Sequence, residues 1–251
     1  MERLLEVREL KKTFYKEKKP FVAVDRISFH VDRGECVGLV GESGCGKSTT
    51  AGLITRLLDP DAGSILLDGE EILDWKPKDC KKLYRKVQMI FQTPQDSFDP
   101  RRTLGDGILE SLQNQGMKRR AAEKRMYELL EMVDLGREFA KRLPHEVSGG
   151  QCQRAAIARA LAPNPELLIC DEATSALDVT VQAQIAGLLK KLQRERGLSL
   201  LLICHDLALV QHLCSRMLVM YGGAIVEEGA PDQVIQNPAE EYTKLLVESA
   251  F

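Results

Sequence analysis

The sequence has no long apolar run. Leu200 to Cys204, with Leu198 just before it, is as long as any, whereas a membrane helix needs about 18 apolar residues or more. The chain is therefore not expected to cross a bilayer, and if it serves transport, other subunits must form the path. The first ten residues, MERLLEVREL, interleave charges with leucines and lack the apolar core of a secretory signal. None of the seven cysteines falls in a CxxC pair, and no Cys/His cluster has zinc spacing, which argues against a metal centre built on thiolates. Unpaired thiols, several of them inside apolar runs, suit a reducing compartment, so a cytoplasmic location is expected. One-sided charge is missing too: 35 Lys and Arg stand against 37 Asp and Glu, and no global basic field points to nucleic acid as a partner.

What is present is an α/β rhythm. At 251 residues the chain suffices for one large domain, or one domain with an inserted subdomain. Glu35 to Gly41 is a short apolar run ending in glycine, which predicts a buried strand, and a helix is expected from Lys47 to Leu58. Asp59 to Gly63 is a loop signal, followed by a strand over Ser64 to Asp68. From Leu104 to Ala162 the spacing is helical, as in Met126, Leu129, Leu130 and Val133. The rhythm then returns, with strands at Leu167 to Cys170 and Leu198 to Cys204. Between them a helix carries Val181, Ile185, Leu188, Leu189 and Leu192 on one face and ends near Gly197. Gly222-Gly223 marks a hairpin between Met217 to Tyr221 and Ala224 to Glu228. The basic residues Lys11, Lys12, Lys16, Lys18 and Lys19 read as a solvated loop between early strands. Parallel strands with crossover helices place ligands at the strands' carboxyl ends.

Gly41-Glu42-Ser43-Gly44-Cys45-Gly46-Lys47-Ser48 fits G-x-x-x-x-G-K-[ST] between a strand and a helix. The glycines let backbone N–H groups turn inward around phosphate oxygens, and the helix start, with Thr49 next, adds partial positive charge. Lys47 should reach the β- and γ-phosphates of a nucleotide, and the Ser48 hydroxyl should ligate Mg²⁺. Leu167 to Cys170 runs into Asp171-Glu172, so two carboxylates sit at a buried strand's end. Asp171 suits Mg²⁺, and Glu172 can polarise an attacking water as general base.

Ser148-Gly149-Gly150-Gln151 stands directly ahead of a helical run from Cys152 to Leu161. Together with the preceding motifs it resembles the signature of the ABC ATPases, a resemblance that covers nearly the whole chain. It implies an α/β fold: a P-loop NTPase core with an inserted helical subdomain and a small antiparallel β subdomain. Residues 1–94 and 164–231 would form the core and β subdomain, 95–163 the helical signature subdomain and 232–251 a short C-terminal tail. It further implies that Gln92 is the Q-loop glutamine, sensing γ-phosphate and Mg²⁺. Ser175-Ala176-Leu177-Asp178 matches the D-loop, with Asp178 crossing a dimer interface, and His205 matches the switch histidine. Phe14, or else adjacent Tyr15, would stack on adenine. Two such domains would face head to tail, with Ser148, Gly149, Gly150 and Gln151 serving the partner's ATP. Val147, Cys152 and Ala173 depart from the commonest family pattern, but none removes a ligand or a charge.

Three segments resemble the oligopeptide, dipeptide and nickel importer branch: Phe91 to Asp106, Leu143-Pro144-His145-Glu146, and Asn237-Pro238 followed by Tyr242-Thr243-Lys244-Leu245-Leu246. The resemblance implies an ATP-hydrolysing subunit, peripheral on the inner face of the cell membrane. It would energise import of peptide or nickel with a second ATPase, two integral-membrane permease subunits and, indirectly, an extracytoplasmic solute-binding protein. Thr93 to Leu104 would dock on the permease. The alternative is a soluble accessory ATPase, such as those of carbon–phosphorus lyase systems. Many branch members carry a longer cysteine-containing tail than this sequence shows, which leaves peptide and nickel both open.

Overall fold

The computed structural model describes residues 2–16, 19–173 and 177–250. The chain opens with a long hairpin, β1 (Arg3–Lys16) and β2 (Lys19–Asp32), followed by β3 (Cys36–Val40), α1 (Lys47–Ile54), β4 (Ala62–Leu67) and β5 (Glu70–Glu71). Next come α2 (Cys80–Lys86), β6 (Val87–Ile90), α3 (Leu104–Asn114), α4 (Arg119–Met132) and α5 (Gly149–Leu161), with short 3₁₀ turns before α3 and between α4 and α5. The remainder is β7 (Leu167–Asp171), α6 (Val179–Arg196), β8 (Ser199–Cys204), α7 (Leu207–Leu213), β9 (Arg216–Tyr221), β10 (Ala224–Gly229), α8 (Pro231–Gln236) and α9 (Glu241–Ala250). No helix among the described residues is long and apolar enough to cross a membrane.

The strands form two sheets. A 4-stranded antiparallel sheet runs β2-β1-β4-β5, and a 6-stranded sheet runs β10-β9-β3-β8-β7-β6, parallel except where β10 pairs with β9. Every residue of β3, β7 and β8 is buried, as expected of strands covered on both faces. Their side chains alternate between two cores. Val37, Leu39, Leu167, Ile169, Leu201 and Ile203 face the antiparallel sheet and α1, whereas Cys36, Val40, Leu168, Cys170, Leu200 and Leu202 face the helices. All seven cysteines are free and six of them are buried, Cys80 being the exception.

The register positions the functional loops. Val40 lies opposite Cys204, and Asp171 opposite Ile203. Strands β3, β8, β7 and β6 are consecutive neighbours, so the loops leaving their carboxyl ends open side by side. The segment between β6 and β7 holds helices and turns only, packed on one another through Leu104, Ile108, Leu112, Met126, Leu129 and Leu130.

Local structure departs from the sequence expectation in three places. Helix α1 stops at Ile54, short of Leu58. The Thr55 hydroxyl bonds back to Ala51, Arg56 takes a positive φ of 55°, and the Leu57 and Leu58 amides fold back onto the Gly52 carbonyl. Helix α5 begins at Gly149 rather than Cys152, because Ser148 and Gln151 form a reciprocal capping box that draws both glycines into the first turn. Lys11, Lys12 and Lys16 belong to β1 and Lys19 to β2, rather than to a loop. Cross-strand pairing carries the hairpin out to Lys16 and Lys19, and Lys18 lies outside the described residues. The segment after Ala230 forms two helices, α8 and α9. Val234, Tyr242, Leu246 and Val247 pack onto the core, with helical spacing between Tyr242 and Leu246.

Candidate active site

The loop from Gly41 to Ser48 leaves β3 and feeds α1. Its last glycine, Gly46, is the N-cap of α1 at φ 111°, and no side chain caps the helix. The first amides of α1 thus lack a side-chain acceptor and are available to an anion. Lys47 is only 4% exposed. Its ammonium donates to the carbonyls of Gly41 and Glu42, both at 2.7 Å, with the Cys45 sulfur 3.8 Å away. A buried ammonium held by neutral carbonyls favours a nearby anion.

Opposite the loop, the Ser48 hydroxyl donates to Asp171 Oδ1 at 3.0 Å. Asp171 is 8% exposed. Burial pushes its carboxyl above the ordinary range, and the Ser48 hydrogen bond opposes that shift only in part. A hydroxyl and a carboxylate oxygen side by side form a hard-oxygen donor set of the kind Mg²⁺ takes.

Glu172 follows at φ 47°, a left-handed backbone that is uncommon for this residue type. Its amide is held by the Ile203 carbonyl at 2.8 Å, which ties the end of β7 to β8. Its carboxylate accepts from Gln92 Nε2 at 2.9 Å on one oxygen, and His205 Nδ1 lies 3.9 Å from the other. Gln92 and His205 are exposed and Glu172 is half-buried. A carboxylate between an amide donor and an imidazole, beside a phosphate-type loop, can take a proton from a water attacking a bound anion.

A cleft of about 330 Å³ collects Phe14, Phe21, Ser43, Gly44, Gly46, Lys47, Ser48, Thr49, Gln92 and Glu172. Phe14 is 38% exposed and sits on its wall, whereas Tyr15 is 76% exposed and does not line it. Sequence reasoning missed Phe21, which is the cross-strand partner of Phe14. The signal that could have found it is hairpin register, but no turn signature marks Glu17-Lys18. Gly41 and Cys45 do not line the cleft: Cys45 turns into the core, and Gly41 faces a second cavity beside His205.

Ser148, Gly149, Gly150 and Gln151 are not part of this cleft either. Ser148 Oγ accepts from the Gln151 amide at 3.3 Å, and Gln151 Oε1 accepts from the Ser148 amide at 2.9 Å. Gly150 is buried where a Cβ would lie 2.5 Å from Val181 Cγ1, so a larger residue there would force the Val181 side chain to shift where α5 packs on α6. Asp178 is exposed and caps α6 by accepting from the Val181 amide at 2.9 Å. Ser175 and Ala176 lie outside the described residues.

The chain is similar to known proteins along nearly its whole length. The profile of the ABC transporter family matches residues 24–175. The oligopeptide transport ATP-binding protein OppF of Bacillus subtilis is 48% identical over 251 residues, which cover 98% of this chain and 82% of that protein. The glutathione import ATP-binding protein GsiA of Pectobacterium atrosepticum is 48% identical over 226 residues, or 90% of this chain and 36% of that one. Among solved structures, a dimeric post-hydrolysis state of the ATP-binding cassette MJ0796, bound to ADP and Pi, superposes with a TM-score of 0.83. It is 30% identical and covers 91% of this chain and 99% of that one. The cbiO1 subunit from Clostridium perfringens, part of the cbiONQ transporter complex, gives a TM-score of 0.84 at 28% identity, covering 94% of this chain and 92% of that one.

Proposed function

Because the chain belongs to the ABC transporter family, we propose that it is the ATP-binding, ATP-hydrolysing subunit that powers import of a peptide-class solute through separate permease subunits. The observation that carries this reading is the convergence of Lys47, the Ser48–Asp171 pair and the Gln92–Glu172–His205 cluster at the ends of neighbouring strands. Relatives named for oligopeptide and glutathione import support the peptide class over nickel, and they support an importer over an accessory ATPase.

In this reading the backbone amides from Ser43 to Ser48 surround the phosphates of ATP. Lys47 exchanges two carbonyls for the β- and γ-phosphates, a stronger charge-assisted contact. Phe14 offers its ring to adenine, with Phe21 on the same wall. Ser48, Asp171 and Gln92 would hold Mg²⁺, which when bound neutralises charge developing on the transferred phosphoryl group. Glu172 takes the proton of the attacking water, and His205 steadies the γ-phosphate. Ser148, Gly149, Gly150 and Gln151 present the N-terminus of α5 to the ATP of a second ATPase subunit, with Asp178 at that interface. The assembly sits on the inner face of the membrane, with two permease subunits and, beyond them, an extracytoplasmic binding protein.

Glu172→Gln keeps the shape of the site and removes the base. Turnover should fall about 10²- to 10⁴-fold while ATP binding persists. Tagged Glu172→Gln chain, pulled from gently solubilised cells with Mg–ATP, should bring down multispan membrane proteins and a second ATPase. Unchanged turnover would remove Glu172 from its role, and purely soluble companions would turn the reading toward the accessory ATPase.

A further inference from the structure

The C-terminal Tyr-Thr-Lys-Leu-Leu segment is absorbed by none of the chemistry above, yet it touches the phosphate loop. Tyr242, near the start of α9, accepts a hydrogen bond from the Glu42 amide at 2.9 Å. Its ring stacks on Tyr221, at the end of β9, with centroids 4.1 Å apart and planes inclined by 26°. The approach to α9 is anchored separately, because the Glu227 carboxylate of β10 accepts from the amides of Ala239 at 2.8 Å and Glu240 at 3.1 Å. Further along α9, Leu246 and Ser249 line a cavity of about 410 Å³ together with Gly41, Glu42 and His205. One helix therefore lies against both the phosphate loop and the loop carrying His205.

The detail that gives this contact a function lies in a single peptide group. Gly41 C=O and Glu42 N–H belong to the same trans amide. The oxygen accepts from Lys47 Nζ at 2.7 Å, and the N–H on the opposite side donates to Tyr242. Hydrogen bonds at the two ends of one amide polarise each other, and together they set the orientation of the plane. When Lys47 leaves its carbonyls for phosphate, the Tyr242 bond keeps that plane in place. Burial pushes the Tyr242 phenol above its ordinary range, and the bond from Glu42 opposes this only in part, so the phenol is neutral at physiological pH.

We propose that Tyr242 is a positioning residue for nucleotide binding, through which the C-terminal helix holds the Gly41–Glu42 peptide of the phosphate loop. The inference rests on the ATPase reading given above. Tyr242→Phe is the test, since it keeps the stack on Tyr221 and removes only the hydroxyl that accepts from Glu42. A net hydrogen-bond contribution of about 0.5–1.5 kcal/mol corresponds to about a twofold to tenfold change in affinity. The expected result is a rise in KM for Mg–ATP within that range, with kcat changed by less than about twofold, and loss of hydrogen-exchange protection at the Glu42 amide. A general loosening of the fold would lower kcat and the melting temperature without singling out KM. Wild-type KM and unchanged Glu42 protection in the variant overturn the proposal alone. Absence of ATP turnover in the unsubstituted chain overturns the ATPase reading, and this one with it.

Discussion

Gly46→Ala and Gly44→Ala, compared side by side in the nucleotide-free chain, separate two costs that a glycine-rich loop usually hides together. Gly44 takes φ 82° and Gly46 takes φ 111°, so each alanine meets the steric cost of left-handed backbone, about 1–2 kcal/mol. The surroundings differ. A Cβ on Gly44 would meet nothing within 4 Å. On Gly46 it would lie 2.1 Å from the Ala23 carbonyl oxygen and 2.7 Å from Met220 Cε, whereas real Cβ atoms essentially never come within 3.0 Å of a heavy atom elsewhere in the chain. The near neighbour is backbone of β2, which no rotamer change can move aside, so an overpacking cost of about 1–3 kcal/mol adds to the first. Gly44→Ala should therefore cost about 1.5 kcal/mol and Gly46→Ala about 3.5 kcal/mol. For a chain of this size those values correspond to melting temperatures lowered by roughly 3–6 °C and roughly 7–14 °C respectively. Thermal unfolding followed by circular dichroism without nucleotide measures both. Equal shifts in the two variants would show that the contact of Gly46 with β2 is not what demands glycine there.

Two further expectations concern other parts of the molecule. Arg216 donates to both Glu35 oxygens, at 2.9 and 3.0 Å, across the base of the sheet. Burial pushes the Glu35 carboxyl up, but the hydrogen bonds from Arg216 and from the Asp32 amide outweigh it and hold the group below its ordinary value. A depressed folded-state value stabilises the chain above the unfolded one and loses that contribution as pH falls. Glu35→Gln should accordingly cost about 2 kcal/mol at neutral pH, and the gap from wild type should close as pH drops below about 4.3 in denaturant titrations. A gap that stays constant with pH would sink this account. Arg101 and Arg102 are exposed on the turn before α3, with Arg102 bonded to Glu110 at 2.6 Å. If the segment from Thr93 to Leu104 docks on the permease, reversing both charges should abolish transport by the assembled complex while the isolated chain keeps its basal ATPase rate. Undiminished transport would count against docking there.

Much of this protein is written locally in its residues. A phosphate loop needs glycines, a lysine and a hydroxyl at fixed spacing, and a buried parallel strand needs an unbroken apolar run. Gly41 to Ser48, Leu167 to Glu172 and Leu200 to His205 could therefore be read in order along the chain, together with the α/β class they imply. Family membership followed from the same short-range patterns. What the sequence could not supply was anything that depends on which strand lies beside which. The order β3-β8-β7-β6 brings Lys47, His205, Glu172 and Gln92 to one edge, and that order is a property of the folded sheet, not of any window of residues. Hairpin register placed Phe21 across from Phe14, where no turn signature announced the pairing. The capping box of Ser148 and Gln151 moved the start of α5 onto the signature glycines. Tertiary packing alone carried Tyr242 back to Glu42, 200 positions away in the chain, because its neighbour Tyr221 ends a strand that runs beside the one from which the phosphate loop emerges.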